Sequence, residues 1–254
     1  MSLSAIDYLL WAISALLIVI TCGALLKRKL VHDLPVFFTY VAYHVLRTAV
    51  LFGIHLLHLQ QRMNYAHYFY VYWAGETISI VLGFAVIYEI YRKVFQNYGA
   101  LRQLGGTLLG GAAVVLLVAA VLTAAAAPGA DGPGIVRAVF LLERSVRVMQ
   151  CGLLGFLFLL AFYFGLPWRN RVFGIALGFG LFASIELAGV ALRTQVGVAA
   201  SAIYSQVASA AYSCCVLIWI LYLLAPEPAP QYGGVVLHHD LERWNQALSE
   251  ILQR

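Results

Sequence analysis

One stretch of this chain is long enough to cross a membrane yet carries three charged side chains in its first half. It has the sequence LLERSVRVMQCGLLGFLFLL at residues 141–160, and the charges are Glu143, Arg144 and Arg147. An unpaired charge at the bilayer centre costs about 2.5–3.5 kcal/mol on insertion scales. These side chains therefore need partners, and the stretch predicts a membrane bundle with ionic groups inside it.

The composition of the whole chain is typical of a membrane protein. Of its 254 residues, 63% are hydrophobic and 11% are charged, whereas about 25% charge is usual in soluble domains. The formal net charge of +5 lies mostly in short loops, where it bears on topology and on lipid headgroups. We expect the lipid bilayer as a partner, and no nucleic acid.

Apolar stretches of roughly twenty residues or more predict transmembrane helices. Seven such stretches occur, at about 5–26, 34–59, 65–91, 104–127, 134–166, 172–192 and 198–224. The first is not expected to be a cleaved signal peptide, because Asp7 takes the place of a basic residue and the stretch is too long. The predicted fold class is an all-α polytopic bundle of seven transmembrane helices spanning residues 1–224.

Lys and Arg residues are distributed unevenly between the loops. The loops after the first, third and fifth stretches hold most of them: Lys27, Arg28, Lys29, Arg92, Lys93, Arg102, Arg169 and Arg171. The other loops hold little more than Arg62, Arg137 and Arg193. By the positive-inside rule the N-terminus lies outside and the C-terminus is cytoplasmic.

The chain ends in a Pro/Gly linker at 225–234 and an amphipathic helix at 235–254. Apolar residues of the helix recur at steps of four and three, at Leu237, Leu241, Trp244, Leu248 and Ile251. Its polar face has no excess of basic residues, so docking on protein is favoured over anionic lipid. We expect a protein partner or self-association through this helix.

Charged residues at comparable depth in four stretches predict one buried ionic layer. Counting along each helix places together Arg47, Glu76, Glu143, Arg144, Arg147 and Glu186. Arg147 is expected to pair across the bundle with Glu76 or Glu186, and Arg47 with the other acid. An intrahelical partner such as Glu143 contributes only about 0.2–0.5 kcal/mol, which is too little alone.

Other polar residues in the same stretches are candidates to line a pocket at this layer. They are Tyr40, His44, Tyr72, Gln150, Tyr204 and Gln206. Glu89 differs, because thirteen residues after Glu76 place it on nearly the opposite helix face. We expect it to extend beside Arg92 or Lys93 at the cytoplasmic end.

Small residues recur at four-residue steps in three of the stretches. Gly106-x-x-x-Gly110 and Gly174-x-x-x-Gly178 predict close approach of a neighbouring helix, within the bundle rather than in a dimer. Ser201, Ser205, Ser209 and Ser213 form a stripe in the last stretch. That stripe is interpreted as a packing seam rather than a hydroxyl relay.

Several chemistries lack their sequence signatures. The four cysteines have no metal-ligand spacing, and no HExxH, GxSxG or phosphate-binding glycine loop occurs. The lysines Lys27, Lys29 and Lys93 lie at helix ends, so none can carry a retinal Schiff base in the last helix. We expect no metal, no cofactor and no catalytic residues, and an enzyme is disfavoured.

The chain resembles an uncharacterised family of bacterial seven-helix integral membrane proteins. The resemblance is carried above all by YWAGETISIVLGFAVIYEIYRKVF at 72–95, LERSVRVMQCGLL at 142–154 and RNRVFGIALGFGLFASIEL at 169–187. It implies a multi-pass protein of the bacterial inner (plasma) membrane. It implies no activity and no site residues.

Three interpretations of the ionic layer remain open from the residues. The layer fixes helix packing, or it forms a binding pocket, or it carries protons or ions. We expect a heptahelical binding protein, receptor-like or a subunit of a membrane complex, for which a small-molecule ligand is possible. The alternative is a proton- or ion-coupled transporter of a small solute, which needs access to the layer from both sides.

Overall fold

The computed structural model describes residues 5–59, 65–96, 103–108, 110–112, 114–115, 118, 133–163, 170–196 and 201–225. Within those ranges, the side chains of 55–59, 65–74, 133–143, 190–196 and 201–204 are not described. The predicted linker and C-terminal helix, with the docking residues Leu237, Leu241, Trp244, Leu248 and Ile251, lie outside the described residues.

All regular structure in the described ranges is helical. The helices are α1 (Ala5–Lys27), α2 (Pro35–Leu59), α3 (Tyr65–Val94), α4 (103–118, helical wherever it is described), α5 (Pro133–Tyr163), α6 (Arg171–Val196) and α7 (Ser201–Leu224). The prediction of an all-helical protein is confirmed.

Five helices are long and apolar enough to cross a membrane, by length and composition. The spans are Ile6–Lys27, Pro35–Ile54, Arg144–Tyr163, Arg171–Gly189 and Ser205–Leu224. Many of their large apolar side chains are exposed on the outside of the bundle, among them Leu16, Leu159 and Leu221. A protein with such a surface requires an apolar environment such as a bilayer.

The first and last helices pack side by side in the same direction. Gln206 donates to Asp7 over 3.3 Å, and the hydroxyls of Ser14 and Ser213 lie 2.8 Å apart. Beyond the far end of α1, Arg28 donates to the carbonyl of Leu224 over 2.8 Å. Residue numbers thus rise together along both helices, so α1 and α7 are parallel.

Other contacts place neighbouring helices side by side in opposite directions. Helix α2 packs antiparallel on α3, α5 on α6, and α6 on α7. Helix α1 touches both α2 and α7, and α3 touches α5 and α6. Helices α1, α2, α3, α5, α6 and α7 therefore close into a ring, and the interior lies where α2, α3, α5, α6 and α7 converge.

The turn after α1 is a left-handed cap. Lys29 has φ 56°, its N–H donates to the carbonyl of Leu26 over 3.1 Å, and Leu30 donates to Leu25 over 3.0 Å. These two bonds are those of a Schellman motif, in which glycine usually takes the left-handed position. Leu30 and Leu34 are buried, which anchors the loop that leads into α2.

The N-terminus of α2 is capped by a side chain from another helix. The N–H groups of Val36 and Phe37 donate to Oε1 and Oε2 of Glu89, over 3.0 and 2.8 Å. The preceding Leu34 has no side-chain acceptor, so these donors need a partner from elsewhere. The carboxylate also lies at the positive end of the helix dipole.

The expectation that Glu89 extends toward Arg92 or Lys93 is therefore wrong. Its side chain is buried, with 7% of its surface exposed, and turns toward α2. Two backbone donors in an interior position bind a carboxylate better than an exposed cation at the helix end, because water screens the latter.

The predicted close approach at Gly174 and Gly178 occurs between α6 and α7. A methyl group on Gly174 would overlap the ring of Tyr222, and one on Gly178 would overlap the indole of Trp219. The Trp219 indole N–H donates to the carbonyl of Ile175 over 3.2 Å. The glycines thus admit large rings to the helix surface.

The Gly106 motif behaves differently. A methyl group on Gly106 would lie 3.7 Å from the ring of Tyr88, whereas one on Gly110 would have no neighbouring atom within 4 Å among the described residues. The adjacent Gly105 makes the closer approach, against Tyr91.

Candidate functional site

Four charged side chains from four helices meet in the interior. We call Arg47 of α2, Glu76 of α3, Arg147 of α5 and Glu186 of α6 the ionic cluster. Arg47 Nη2 lies 2.8 Å from Glu76 Oε2, and Arg147 Nη2 lies 3.9 Å from Glu76 Oε1 and 3.7 Å from Glu186 Oε2. Arg147 is thus ion-paired across the bundle as predicted, but Glu76 is shared by both arginines rather than each arginine having its own acid.

The pair of Arg47 and Glu76 is the tight part of the cluster. Its 2.8 Å contact is a charge-assisted hydrogen bond. Gly75 permits this approach, because a methyl group there would lie only 3.3 Å from Arg47 Nε. The hydroxyl of Tyr43 donates to the Gly75 carbonyl over 2.6 Å and holds α2 against α3 at the same level.

Arg147 is held more loosely. Its Nη1 donates to Gln150 over 3.1 Å, and its guanidinium carbon lies 5.3 Å from the ring centroid of Phe182. Its two carboxylate contacts are longer than a hydrogen bond. Its buried Nε has no hydrogen-bond partner among the described residues.

The cluster is charge-balanced and only partly shielded from solvent. The exposed fractions of the side chains are 23% for Glu76, 17% for Arg47, 12% for Arg147 and 9% for Glu186. The charges of these two cations and two anions sum to zero. Each ion therefore has an opposite charge nearby, whereas an isolated buried charge would be very costly. The residual exposure of Glu76 shows that the cluster borders an accessible space.

On the side toward the start of α2, aromatic rings fill the interior. We call this set the aromatic column; its members are Phe37, Tyr40, His44, Phe179, Phe182, Tyr212 and Trp219. The ring centroids of Phe37 and Trp219 lie 5.3 Å apart. Those of Trp219 and Phe179 lie 5.1 Å apart, and those of Phe179 and Tyr40 lie 5.0 Å apart.

The column continues up to the ionic cluster. Tyr40 lies 4.4 Å from His44, which lies 6.1 Å from Tyr212, and Tyr212 lies 5.7 Å from Phe182. The guanidinium of Arg147 lies over the ring of Phe182. His44 contacts the Ser79 hydroxyl over 3.1 Å, so it is tied to α3 as well.

The sequence-derived pocket candidates are divided between these features. Tyr40 and His44 belong to the aromatic column, and Gln150 contacts Arg147. Gln206 lies elsewhere, at the seam of α1 and α7, where it binds Asp7. The side chains of Tyr72 and Tyr204 lie outside the described residues.

Arg144 does not join the cluster, so its assignment to the buried layer is wrong. Its side chain is exposed. Three residues along a helix turn the side chain by about 60° from the starting face, and this is enough to move it out of the interface that holds Arg147. The buried face of α5 runs through Val146, Gln150 and Leu153. The side chain of Glu143 lies outside the described residues.

Sequence reasoning did not identify the aromatic column or the cap by Glu89. Partial signals were present, since Tyr40 and His44 share a helix stripe with Arg47. Pro35 also marks the start of a helix with no capping side chain before it. Which rings from α6 and α7 meet that stripe depends on packing between segments far apart in sequence.

No family profile, curated protein or solved structure matches the chain.

Proposed function

We propose that this protein is a seven-helix integral membrane binding protein of the bacterial plasma membrane, receptor-like or a subunit of a membrane complex. In this proposal the ionic cluster forms its ligand site. One observation carries the proposal: a charge-balanced, partly accessible cluster borders a column of packed aromatic rings. In this proposal the site is accessible from one side only, whereas a carrier needs access from both sides.

The seven-span arrangement is supported by helix direction. Helices α1 and α7 are parallel, as expected when the number of spans from the first to the last is odd. The basic loops favour an N-terminus outside. The aromatic column, which ends at the start of α2, then lies toward the cytoplasm, and the cluster opens outward.

Reporter fusions test this topology. Fusions after Lys29, Arg102 and Arg254 are expected to report the cytoplasm. A periplasmic signal from any one of them contradicts the proposed orientation.

Thiol labelling from each side tests the one-sided site. In a background with Cys22, Cys151, Cys214 and Cys215 replaced by Ser, Tyr43→Cys lies beside the cluster and Phe179→Cys lies in the column. An impermeant thiol reagent is expected to label Tyr43→Cys only from outside and Phe179→Cys from neither side. Labelling of Tyr43→Cys from the cytoplasmic side contradicts the binding protein and supports the carrier.

The alternative function is a proton- or ion-coupled transporter of a small solute. It is favoured by the carboxylates of Glu76 and Glu186 near Arg147, since protonation of a carboxylate, or binding of a cation to it, can release that arginine. This requires the aromatic column to open. Proteoliposomes containing a pH-sensitive dye test it, because solute-driven proton movement occurs only if the protein is a carrier.

We further propose that the C-terminal helix docks on a cytoplasmic protein. Its apolar face is the basis of this proposal. Trp244→Ala combined with Leu248→Ala is expected to release a copurifying protein, or to reduce the apparent mass in mild detergent, without loss of membrane insertion. Unchanged copurification and mass contradict the docking role.

A further inference from the structure

We propose that the ligand of the ionic cluster is an uncharged molecule that presents a carbonyl-type oxygen to Arg147 from a flat apolar body. This inference rests on the proposed binding function. It follows from the donors, the charge balance and the aromatic surfaces around that one guanidinium.

Arg147 has donor capacity that its protein partners do not use. A guanidinium carries five N–H donors. Among the residues described, the one hydrogen bond of Arg147 goes to Gln150, and its Nε has none. Its carboxylate neighbours at 3.7 and 3.9 Å attract it without accepting a bond of normal length. Arg147 thus keeps N–H donors without a protein acceptor among the described residues, so an incoming group should present oxygen lone pairs.

The charge balance selects against an ionic ligand. The four described charges of the cluster already sum to zero, and both glutamates lie within 4 Å of Arg147 Nη2. A free anion at Arg147 would face two carboxylates in a region of low dielectric. A cation would offer no acceptor to Arg147 and would face two guanidinium groups. An uncharged oxygen acceptor meets the requirement without a new unpaired charge.

The rings beside Arg147 favour a flat apolar body. Phe182 lies against the guanidinium, and Tyr212 meets Phe182 nearly edge-on, with an interplanar angle of 71°. Both side chains are only half-buried. A planar ligand can stack there while its oxygen accepts from Arg147.

Four small probes that share a phenyl ring separate the ligand classes. They are benzamide, which is uncharged, benzoate, benzylammonium and zwitterionic phenylglycine. Saturation-transfer NMR on the full chain in lipid nanodiscs measures the binding of each. Each probe also gives a signal because it partitions into the lipid. This contribution is removed by subtracting the signal measured with Arg147→Met. Arg144→Met is the matched control, because it removes an exposed arginine one turn away on the same helix.

Benzamide is expected to bind to the wild type and to Arg144→Met, and to bind roughly tenfold or more weakly to Arg147→Met. Benzoate, benzylammonium and phenylglycine are expected to show no difference between the three proteins. Arg147→Lys retains the charge but lacks Nε and the planar fork, so it should lose benzamide as well. Benzamide should also slow external labelling of Tyr43→Cys, which tests the site with Arg147 intact if a variant misfolds.

Each other outcome overturns a defined part of the proposal. Binding of a charged probe that depends on Arg147, without benzamide binding, overturns the uncharged ligand but leaves a binding site. If no probe depends on Arg147 and none slows labelling, the inference is wrong. The binding function itself then depends on the labelling experiment, since cytoplasmic access to Tyr43→Cys contradicts it separately.

Discussion

The ionic cluster and the aromatic column adjoin each other in one bundle, but they satisfy their polar groups in different ways. In the column, the N–H groups of Trp219 and Phe37 each have an acceptor, at 3.2 and 2.8 Å, and Phe37 is fully buried. In the cluster, Arg147 lies between two carboxylates without a hydrogen bond to either. These two donors of the column have acceptors, whereas the cluster retains unused donors.

This difference indicates a division of labour within the fold. Close-packed rings admitted by glycine allow little rearrangement, because a packed interior resists even the addition of a methyl group. A loosely bound arginine can reorient toward a new acceptor at low cost. The column thus determines helix positions, and the cluster provides adaptable chemistry.

The largest expected effect is on the cluster. Arg147→Met removes a cation from beside Glu76 and Glu186, and loss of one member of a buried pair typically costs about 3–5 kcal/mol. The double variant Arg147→Met/Glu186→Gln should lose less than the sum of its two single variants. The free energy of unfolding in detergent, from denaturant titration, measures this coupling.

Arg144→Met is the control for that series and should change stability by less than about 0.5 kcal/mol. Strictly additive losses in Arg147→Met combined with Glu186→Gln and with Glu76→Gln would mean that Arg147 is paired with neither acid.

The next effect is in the column. Gly178→Ala places a methyl group against the Trp219 indole, and overpacking of this kind costs about 1–3 kcal/mol. Gly152→Ala is the matched control, because no described atom lies within 4 Å of the added methyl. The control should be neutral or stabilising by up to about 1 kcal/mol, from helix propensity alone. Equal thermal stability of both variants would refute the close packing of α6 on α7.

A smaller loss is expected at the start of α2, where the column ends. Glu89→Ala removes the acceptor of two N–H groups, and loss of a helix cap costs about 0.5–2 kcal/mol. Asp33→Ala, an exposed acid just before the same helix, should be nearly neutral. Backbone hydrogen exchange at Val36 and Phe37 should accelerate in Glu89→Ala alone. Unchanged exchange would mean that the cap does not exist.

The smallest effect is expected where α1 packs on α7, away from both the ionic cluster and the aromatic column. Ser14→Ala removes the contact with Ser213, and interhelical hydrogen bonds in membrane proteins average about 0.6 kcal/mol. Ser205→Ala, at an exposed position of the same α7 stripe, serves as the control. Thermal stability in detergent compares the two, and a larger loss from Ser205→Ala would contradict the α1–α7 seam.

Much of the architecture could be predicted from local sequence. Apart from α4, whose later residues lie outside the described ones, the apolar runs predict helices whose ends lie within a few residues of the observed ends. A helix needs about twenty apolar residues to cross a bilayer, so such runs are visible in the sequence. Arg47, Glu76, Arg147 and Glu186 could be brought together by counting depth, since helical rise is uniform.

What could not be predicted depends on rotation and on partners. Arg144 and Arg147 are nearly equal in depth, and only the packing of α5 decides which one faces inward. Counting places Glu89 on the opposite face from Glu76, but the sequence does not show that the start of α2 lies there. The tight contact of Arg47 with Glu76 depends on how closely α2 approaches α3 at Gly75, which the sequence does not show.

The parallel pairing of α1 with α7 has a consequence for biosynthesis. Asp7 and its partner Gln206 are 199 residues apart, so at roughly 5–20 residues per second α1 waits some 10–40 s for α7. Until then the face of α1 that carries Asp7 and Ser14 has no α7 side chains to meet, and the ring of helices remains open. Closure of the ring therefore reports that translation has reached the end of the last span. In a chain released before α7 is made, Asp7 and Ser14 would lack the α7 side chains that they contact in the complete bundle. Membrane quality control would then meet a polar helix face that the complete protein covers.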